Sequence, residues 1–230
     1  MGSGLRAALD RGLNEITENL LRMREMIDRA FTRALKSLAD RDLGLARVVI
    51  DEDEHINKIR YNIEEACLAL IATQQPTASD LRMIIAIMSV VVDMERMGDY
   101  AAGISKTVIR MGDEPLLKPL IDIPKMVELA RGMLRDSVQA LLDHDVARAR
   151  EIALRDDEMD DLYQAIFDEL VEIMSQVPNS ATRATYLLWC AHNLERIGDR
   201  VTNIAERVVF VSTGDVKDLN IKEEGVGGIN

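Results

Sequence analysis

The sequence predicts an all-α protein built from two tandem, pseudo-symmetric antiparallel three-helix bundles, and three observations carry that prediction. Hydrophobic residues make up 47% of the 230, aromatics only 3%, and methionine occurs 12 times. A core of aliphatic and thioether side chains suits helix on helix better than stacked sheets. Five prolines leave long stretches unbroken. A motif near the end of the first half, Asp93-Met-Glu-Arg-Met-Gly-Asp99, returns as Asn193-Leu-Glu-Arg-Ile-Gly-Asp199 at an offset of 100. Asp53-Glu54 returns as Asp157-Glu158 at an offset of 104, and Pro76 as Pro178 at 102, so the chain is an internal duplication.

Apolar periodicity and proline-marked turns divide each half into three helices. The first half reads as helices over 5–39, 42–73 and 77–111. The second reads as helices over 119–142, 145–175 and 179–212, after a linker near Gly112 to Pro119. This gives a first repeat over 1–113, a second over 114–214, and an expected flexible tail over 215–230, with Gly225, Gly227 and Gly228 among charges. In the second helix, Ile56, Ile59, Ile63, Ala66 and Leu70 form the expected core stripe. The third opens with Leu81 to Val92, apolar nearly all round, which predicts a central, buried helix.

A formal net charge of −12 argues against a nucleic-acid partner, which would be held by Lys and Arg replacing condensed counterions; cations are the more natural ligands. Cys67 and Cys190 lie in apolar surroundings in different halves, which predicts two buried reduced thiols and a reducing compartment. The first residues carry charge and no long apolar run, so no secretory leader is expected. The longest apolar run, Met83 to Val92, is far shorter than the roughly 20 residues of a membrane span.

On the third helix the stripe Met94, Met97, Ala101, Ile104 and Val108 leaves Glu95 and Asp99 on the opposite, outward side. Two carboxylates at i and i+4 repel unless a cation or an arginine neutralises them. Equal rise on both arms of a hairpin centred on Pro76 sets Asp53 beside Asp99, and Asn57 beside Glu95. Around Pro178 the same counting sets Asp157 beside Asp199 and Asp161 beside Glu195. Converging carboxylates suit Mg, Mn or Ca, and iron is compatible. The absence of paired Cys or His argues against a structural zinc centre. The competing reading is that these acids pair with Arg96, Arg196 and Arg200. Gly98 and Gly198, each interrupting strong helix, mark either close helix approach or room for ions.

The segments Gln75-Pro-Thr-Ala-Ser-Asp-Leu-Arg82, Met94-Glu-Arg-Met-Gly-Asp99 and Asn193-Leu-Glu-Arg-Ile-Gly-Asp-Arg-Val-Thr-Asn203, inside this duplicated layout, resemble the PhoU family of phosphate-uptake regulators. The resemblance covers nearly all of the chain except the tail. It implies a cytoplasmic, frequently dimeric adaptor, reaching the inner membrane face only through partners. Those partners would be the ATPase of the phosphate ABC transporter and a membrane sensor histidine kinase, and the adaptor represses the phosphate-starvation response without catalysing a reaction. It also implies metal ions, whose candidates are Fe, Mn, Mg, Zn and Ca, held by paired E/DxxxD motifs. These match Glu95 with Asp99, Glu195 with Asp199, and Asp157 with Asp161; Asp53 has Asn57 in place of its second acid, which predicts a weaker first-half site. Asp51, Glu52 and Glu54 are the substitutes for a shifted register.

Two rivals remain open to test. A di-iron carboxylate enzyme needs two ExxH helices, and the chain offers only Glu52 with His55, its other histidines being His144 and His192. No HExxH, Walker A, GxSxG or CxxC motif is present, which agrees with a protein that is not an enzyme. The second rival is an acidic helical interaction protein that works without metal.

Overall fold

The computed structural model describes residues 2–215, so the tail expected over 215–230 lies, apart from its first residue, outside the described residues. Every element among the described residues is a helix: α1 (Gly2–Asp40), α2 (Leu43–Gln74), α3 (Ala78–Met111), α4 (Asp122–Asp143), α5 (Val146–Leu154), α6 (Asp156–Gln176) and α7 (Ala181–Thr213). The connectors at residues 41–42 and 75–77 are too short to let neighbouring helices run any way but antiparallel.

The helices begin and end where local chemistry dictates. Asp42 caps α2 by accepting from Leu45 N at 2.9 Å, and Asp145 caps α5 by accepting from Arg148 N at 3.0 Å. Gly214 ends α7 in the left-handed region at φ 83°, a conformation open to a residue without a Cβ. α4 starts at Asp122, three residues later than its apolar pattern suggests, with Pro124 in its first turn, where the missing N–H has no helical partner to lose.

Besides the later start of α4, the second half differs from the expected layout at its middle helix. That helix is split at Arg155, giving α5 and α6 in place of a single helix over 145–175. Arg155 is drawn inward: Nη1 donates to Asp136 on α4 at 3.0 Å, and Nη2 lies 2.9 Å from where a Cβ on Gly132 would stand.

α1 lays a long stripe, including Ile16, Leu20, Met23, Ile27, Phe31, Ala34 and Leu38, into the core at three- and four-residue steps. On α2 the stripe runs through Ile56, Ile59, Ile63 and Leu70 as expected, but Cys67 is the buried member and Ala66 only partly so. α3 is the central helix of the first bundle, and α7 takes the same place in the second, gathering α4, α5 and α6. The two bundles meet chiefly through α3 against α7, with α1 against α4 beside it. The helices α3 and α7 cross antiparallel: Asp93 Oδ1 accepts from Asn203 Nδ2 at 3.0 Å, while at the other end Gly103 meets Asn193. One hydrophobic core runs through both bundles. Cys67 and Cys190 are free and buried within it. Among the described residues no helix is long and apolar enough to cross a membrane.

Candidate metal centre: paired carboxylates at two helical hairpins

The hairpin of α2 and α3 brings Asp53 next to Gly98, with Oδ1 3.0 Å from where a Cβ there would stand. Asp53 is close enough to Asp99 and Glu95 to feel the charge of both. Glu95, expected on an outward face, is 8% exposed, because α3 is enclosed on that side by α2. Its Oε1 reaches Arg60 Nη1 at 3.5 Å. Oε2 of Glu95 and Oδ1 of Asp53 are buried without a hydrogen-bond partner.

Those orphaned oxygens set the electrostatics. Loss of water is the main cause of the rise in the Asp53 carboxyl to about 6, and the neighbouring Asp99 charge adds to it. Glu95 is pushed up for the same two reasons, in the same order, with Arg96 and Arg60 opposing. Asp99 itself accepts from Arg96 Nη1 at 3.0 Å.

The second hairpin repeats this arrangement with a shift of one residue. Asp156, not Asp157, is the acid against Gly198: it is 8% exposed, and its Oδ1 stands 2.5 Å from where a Cβ on Gly198 would be. Its Oδ2 accepts from Thr202 Oγ1 at 3.2 Å. The acid of α6 whose charge reaches Glu195 is likewise Asp160, not Asp161. Asp157 and Asp161 are exposed, each one position further round α6. The physical reason is the turn. Residues 177–180 join α6 to α7, one more than the 75–77 that join α2 to α3, so counting outward from each proline cannot hold in both halves.

Glu195 is also pushed up, first by burial and then by Asp199. Its Oε2 is buried, 3.2 Å from His192 Nδ1 but without hydrogen-bond geometry. Asp199 accepts an ion pair from Arg196 Nη1 at 3.1 Å. Arg96 and Arg196 therefore pair with the acids as the competing sequence reading has it, whereas Arg200 turns away to Asp93 on α3 at 3.4 Å. Among the described residues no three side chains of His, Cys, Asp or Glu stand close enough to hold one ion. The exposed Arg96 and the half-buried Arg196 occupy charge that a cation would otherwise neutralise.

The donor set nevertheless fits a hard cation in kind. Carboxylates carry the site in each half; Asp53 Oδ1, Glu95 Oε2 and Glu195 Oε2 are buried without a hydrogen-bond partner, and Gly98 and Gly198 let Asp53 and Asp156 sit against the helix backbone. The glycines thus mark close helix approach, with the acid as the group that approaches. Of the other residues singled out, Glu52 pairs with Arg33, His55 is exposed beside Asp53, and His192 is exposed on α7 with its ring 6.0 Å from that of Tyr163. Asp156 and Asp160 carried a legible signal in the sequence, since they too form a DxxxD, but the proline count pointed one residue past them.

Comparison with known proteins agrees with this architecture over most of the chain. The family described as PhoU domain matches twice, over residues 20–108 and 123–208, one match to each bundle. The phosphate-specific transport system accessory protein PhoU homolog of Streptococcus pneumoniae is 35% identical over 216 residues, covering 94% of this chain and 100% of that one. The protein of the same description from Aquifex aeolicus is 36% identical over 214 residues, covering 93% and 97%. The crystal structure of the phosphate transport system regulatory protein PhoU from Streptococcus pneumoniae superposes with a TM-score of 0.85 at 34% identity, covering 91% of this chain and 99% of the other. PhoU from Pseudomonas aeruginosa gives a TM-score of 0.84 at 31% identity, covering 90% and 99%. With both bundles matched, and the alignment running through the hairpins that carry the acids, the chain belongs to the PhoU family.

Proposed function

We propose that this chain is an accessory regulator of phosphate-specific transport, a cytoplasmic, dimeric adaptor that represses phosphate uptake and phosphate-starvation signalling, and that it catalyses no reaction. Its partners in this reading are the ATPase of the phosphate ABC transporter and a membrane sensor histidine kinase. The likeness to relatives described as accessory to phosphate-specific transport supports the role.

The same reading gives the hairpin acids a metal. The observation that carries it is the set of buried carboxylate oxygens without a hydrogen-bond partner, Asp53 Oδ1, Glu95 Oε2 and Glu195 Oε2, the two glutamates standing at matching places in the two bundles. Asp53, Glu95 and Asp99 would hold ions in the first half, and Asp156, Asp160, Glu195 and Asp199 in the second, with Arg96 and Arg196 released. Asp157 and Asp161 remain within reach of such a cluster only as outer ligands. Fe, Mn, Mg, Zn and Ca are the candidates, and hard cations suit this oxygen set best. Asn57 keeps the first-half site one charge short, so it binds more weakly. A bound cation supplies positive charge that lets the buried and half-buried acids of each half stay ionised together.

Elemental analysis by mass spectrometry of natively purified protein, beside Glu195→Ala with Asp199→Ala, tests the metal. More than one ion per chain in the wild type, and a smaller number in the variant, is expected. Equal and negligible metal in both, even after reconstitution, leaves the second reading, a metal-independent acidic interaction protein; the ion pairs of Arg96 with Asp99 and Arg196 with Asp199 are the observation that favours it. Co-purification of the kinase and the ATPase with the wild type but not with the variant is expected if metal shapes the partner surface. Unchanged capture of both would separate the metal from the adaptor role.

A further inference from the structure

On a chain of net charge −12, guanidinium groups gather in one cleft. It lies between α1 and α4, where the two bundles meet beside the α3–α7 interface, and has a volume of about 320 Å³. Arg24 and Arg29 line it from α1, and Arg131 and Arg135 from α4. Two acids face them there, Glu25 and Asp28.

The pairing is lopsided. Arg131 is satisfied, donating from Nε and Nη2 to the two oxygens of Asp28 at 2.7 and 3.1 Å and from Nη1 to Glu128 at 2.7 Å. That clamp fixes the α4 wall and uses up Asp28. Arg24 has its side chain only 22% exposed, yet its one ion pair among the described residues is to the exposed Glu25 at 3.8 Å, beyond hydrogen-bond range. Arg29 forms no ion pair among the described residues, and it also lines the adjoining cavity that holds Asp53 and His55. Among the described residues Arg135 reaches only its chain neighbour Asp136, at 3.4 Å, and that acid already accepts from Arg148 and Arg155.

Guanidinium groups carry donors in a planar fork that matches the edge of a tetrahedral oxyanion. Leaving a mostly buried one without acceptors is unfavourable. We infer that the α1–α4 cleft is a binding site for a phosphate-class oxyanion, held by Arg24, Arg29 and Arg135 and walled by the Arg131–Asp28 pair. Because one wall belongs to each bundle, the bound anion ties the two repeats together. The overall negative charge of the protein repels free anions, so affinity here must come from these local donors. Free orthophosphate and the phosphoryl tail of a nucleotide share this chemistry.

Isothermal titration calorimetry on the full chain, with inorganic phosphate in one series and ATP in another, tests the site. Each is run on protein as purified and after chelator treatment. Saturable one-site binding of either anion, unaltered by the chelator, is expected. The anion that binds identifies the source. Arg29→Gln is expected to weaken it by roughly tenfold, and Arg24→Gln by a similar factor, the loss of one or two charge-assisted hydrogen bonds. Arg29 is exposed and unpaired, so its replacement leaves the core untouched, and equal circular dichroism without phosphate verifies this. Asp28→Asn, which removes the competing carboxylate and frees Arg131, is expected to tighten binding several-fold. Three results would overturn the inference: no binding of either anion, affinity unchanged in both arginine variants, or binding abolished by the chelator, which would place the anion on a metal instead.

Discussion

At the scale of single residues, the acids of the two hairpins are held where water cannot reach all of their oxygens, and protonation is the simplest way to relieve them. Asp53 ionises near 6 in the fold and near 3.8 in an unfolded chain, a rise caused mainly by burial. A raised carboxyl stabilises the fold when protonated, so this contribution is complete below about pH 3.8 and vanishes as pH rises through about 6. Glu95 and Glu195 act in the same direction. Metal-free protein is therefore expected to gain stability between pH 7 and pH 5, and Asp53→Asn to flatten that slope, as measured by urea unfolding across pH. A wild-type slope unchanged by the substitution would refute the assignment. Gly198 offers a second residue-scale test. A methyl there would stand 2.5 Å from Asp156 Oδ1, against 3.0 Å from Asp53 Oδ1 for one at Gly98. Overpacking costs about 1–3 kcal/mol and helix propensity returns about 1 kcal/mol. Gly198→Ala is expected to lower stability, and to do so by more than Gly98→Ala, in denaturant titrations of the two variants.

At the scale of elements, the joint between α5 and α6 is organised by one acid. Asp136 on α4 accepts from Arg148 Nη2 and Arg155 Nη1, each at 3.0 Å, one arginine lying within α5 and the other at the break. Its side chain is 18% exposed, so these charge-assisted bonds are partly shielded from water. Asp136→Ala is expected to lower unfolding free energy by roughly 2 kcal/mol, through loss of two such bonds. Hydrogen exchange should then rise in residues 146–160 before it rises in α4. The break was not legible in the sequence, since residues 145–175 keep a helical period across it, whereas the residue at the break, Arg155, is held by Asp136, a contact 19 residues away. By contrast, the stripes of α2 and α3 were legible, apart from Cys67 in place of Ala66, because three- and four-residue apolar spacing has only one way to be buried.

At the scale of the whole molecule, the central helices of the two repeats share a polar lock inside an apolar interface, which is expected to make the repeats unfold together. Asp93, with its side chain 13% exposed, accepts from Asn203 and pairs with Arg200 across the α3–α7 contact. Burial pushes its carboxyl up, while Asn203 and Arg200 oppose the shift. Asp93→Ala leaves Arg200 with no acid at this contact and is expected to cost roughly 3 kcal/mol. Calorimetry is expected to give one transition for the wild type, since the hydrophobic core is continuous through both bundles. Two resolved transitions in the wild type would show that the repeats unfold separately.

The sequence by itself determined the helical class, the duplication, the hairpin turns and the approach of Asp53 to Asp99. Each follows from periodicity and from equal rise along two arms of a short hairpin. Only the tertiary structure decided that Glu95 is buried, that Asp156 and Asp160 replace Asp157 and Asp161 opposite α7, and that Arg24 and Arg29 meet α4 across the seam. The first depends on how α2 closes over α3, the second on one extra residue in a turn, and the third on packing between repeats. None of these is encoded in the spacing of residues along a single helix, because a helix specifies its own faces but not what covers them.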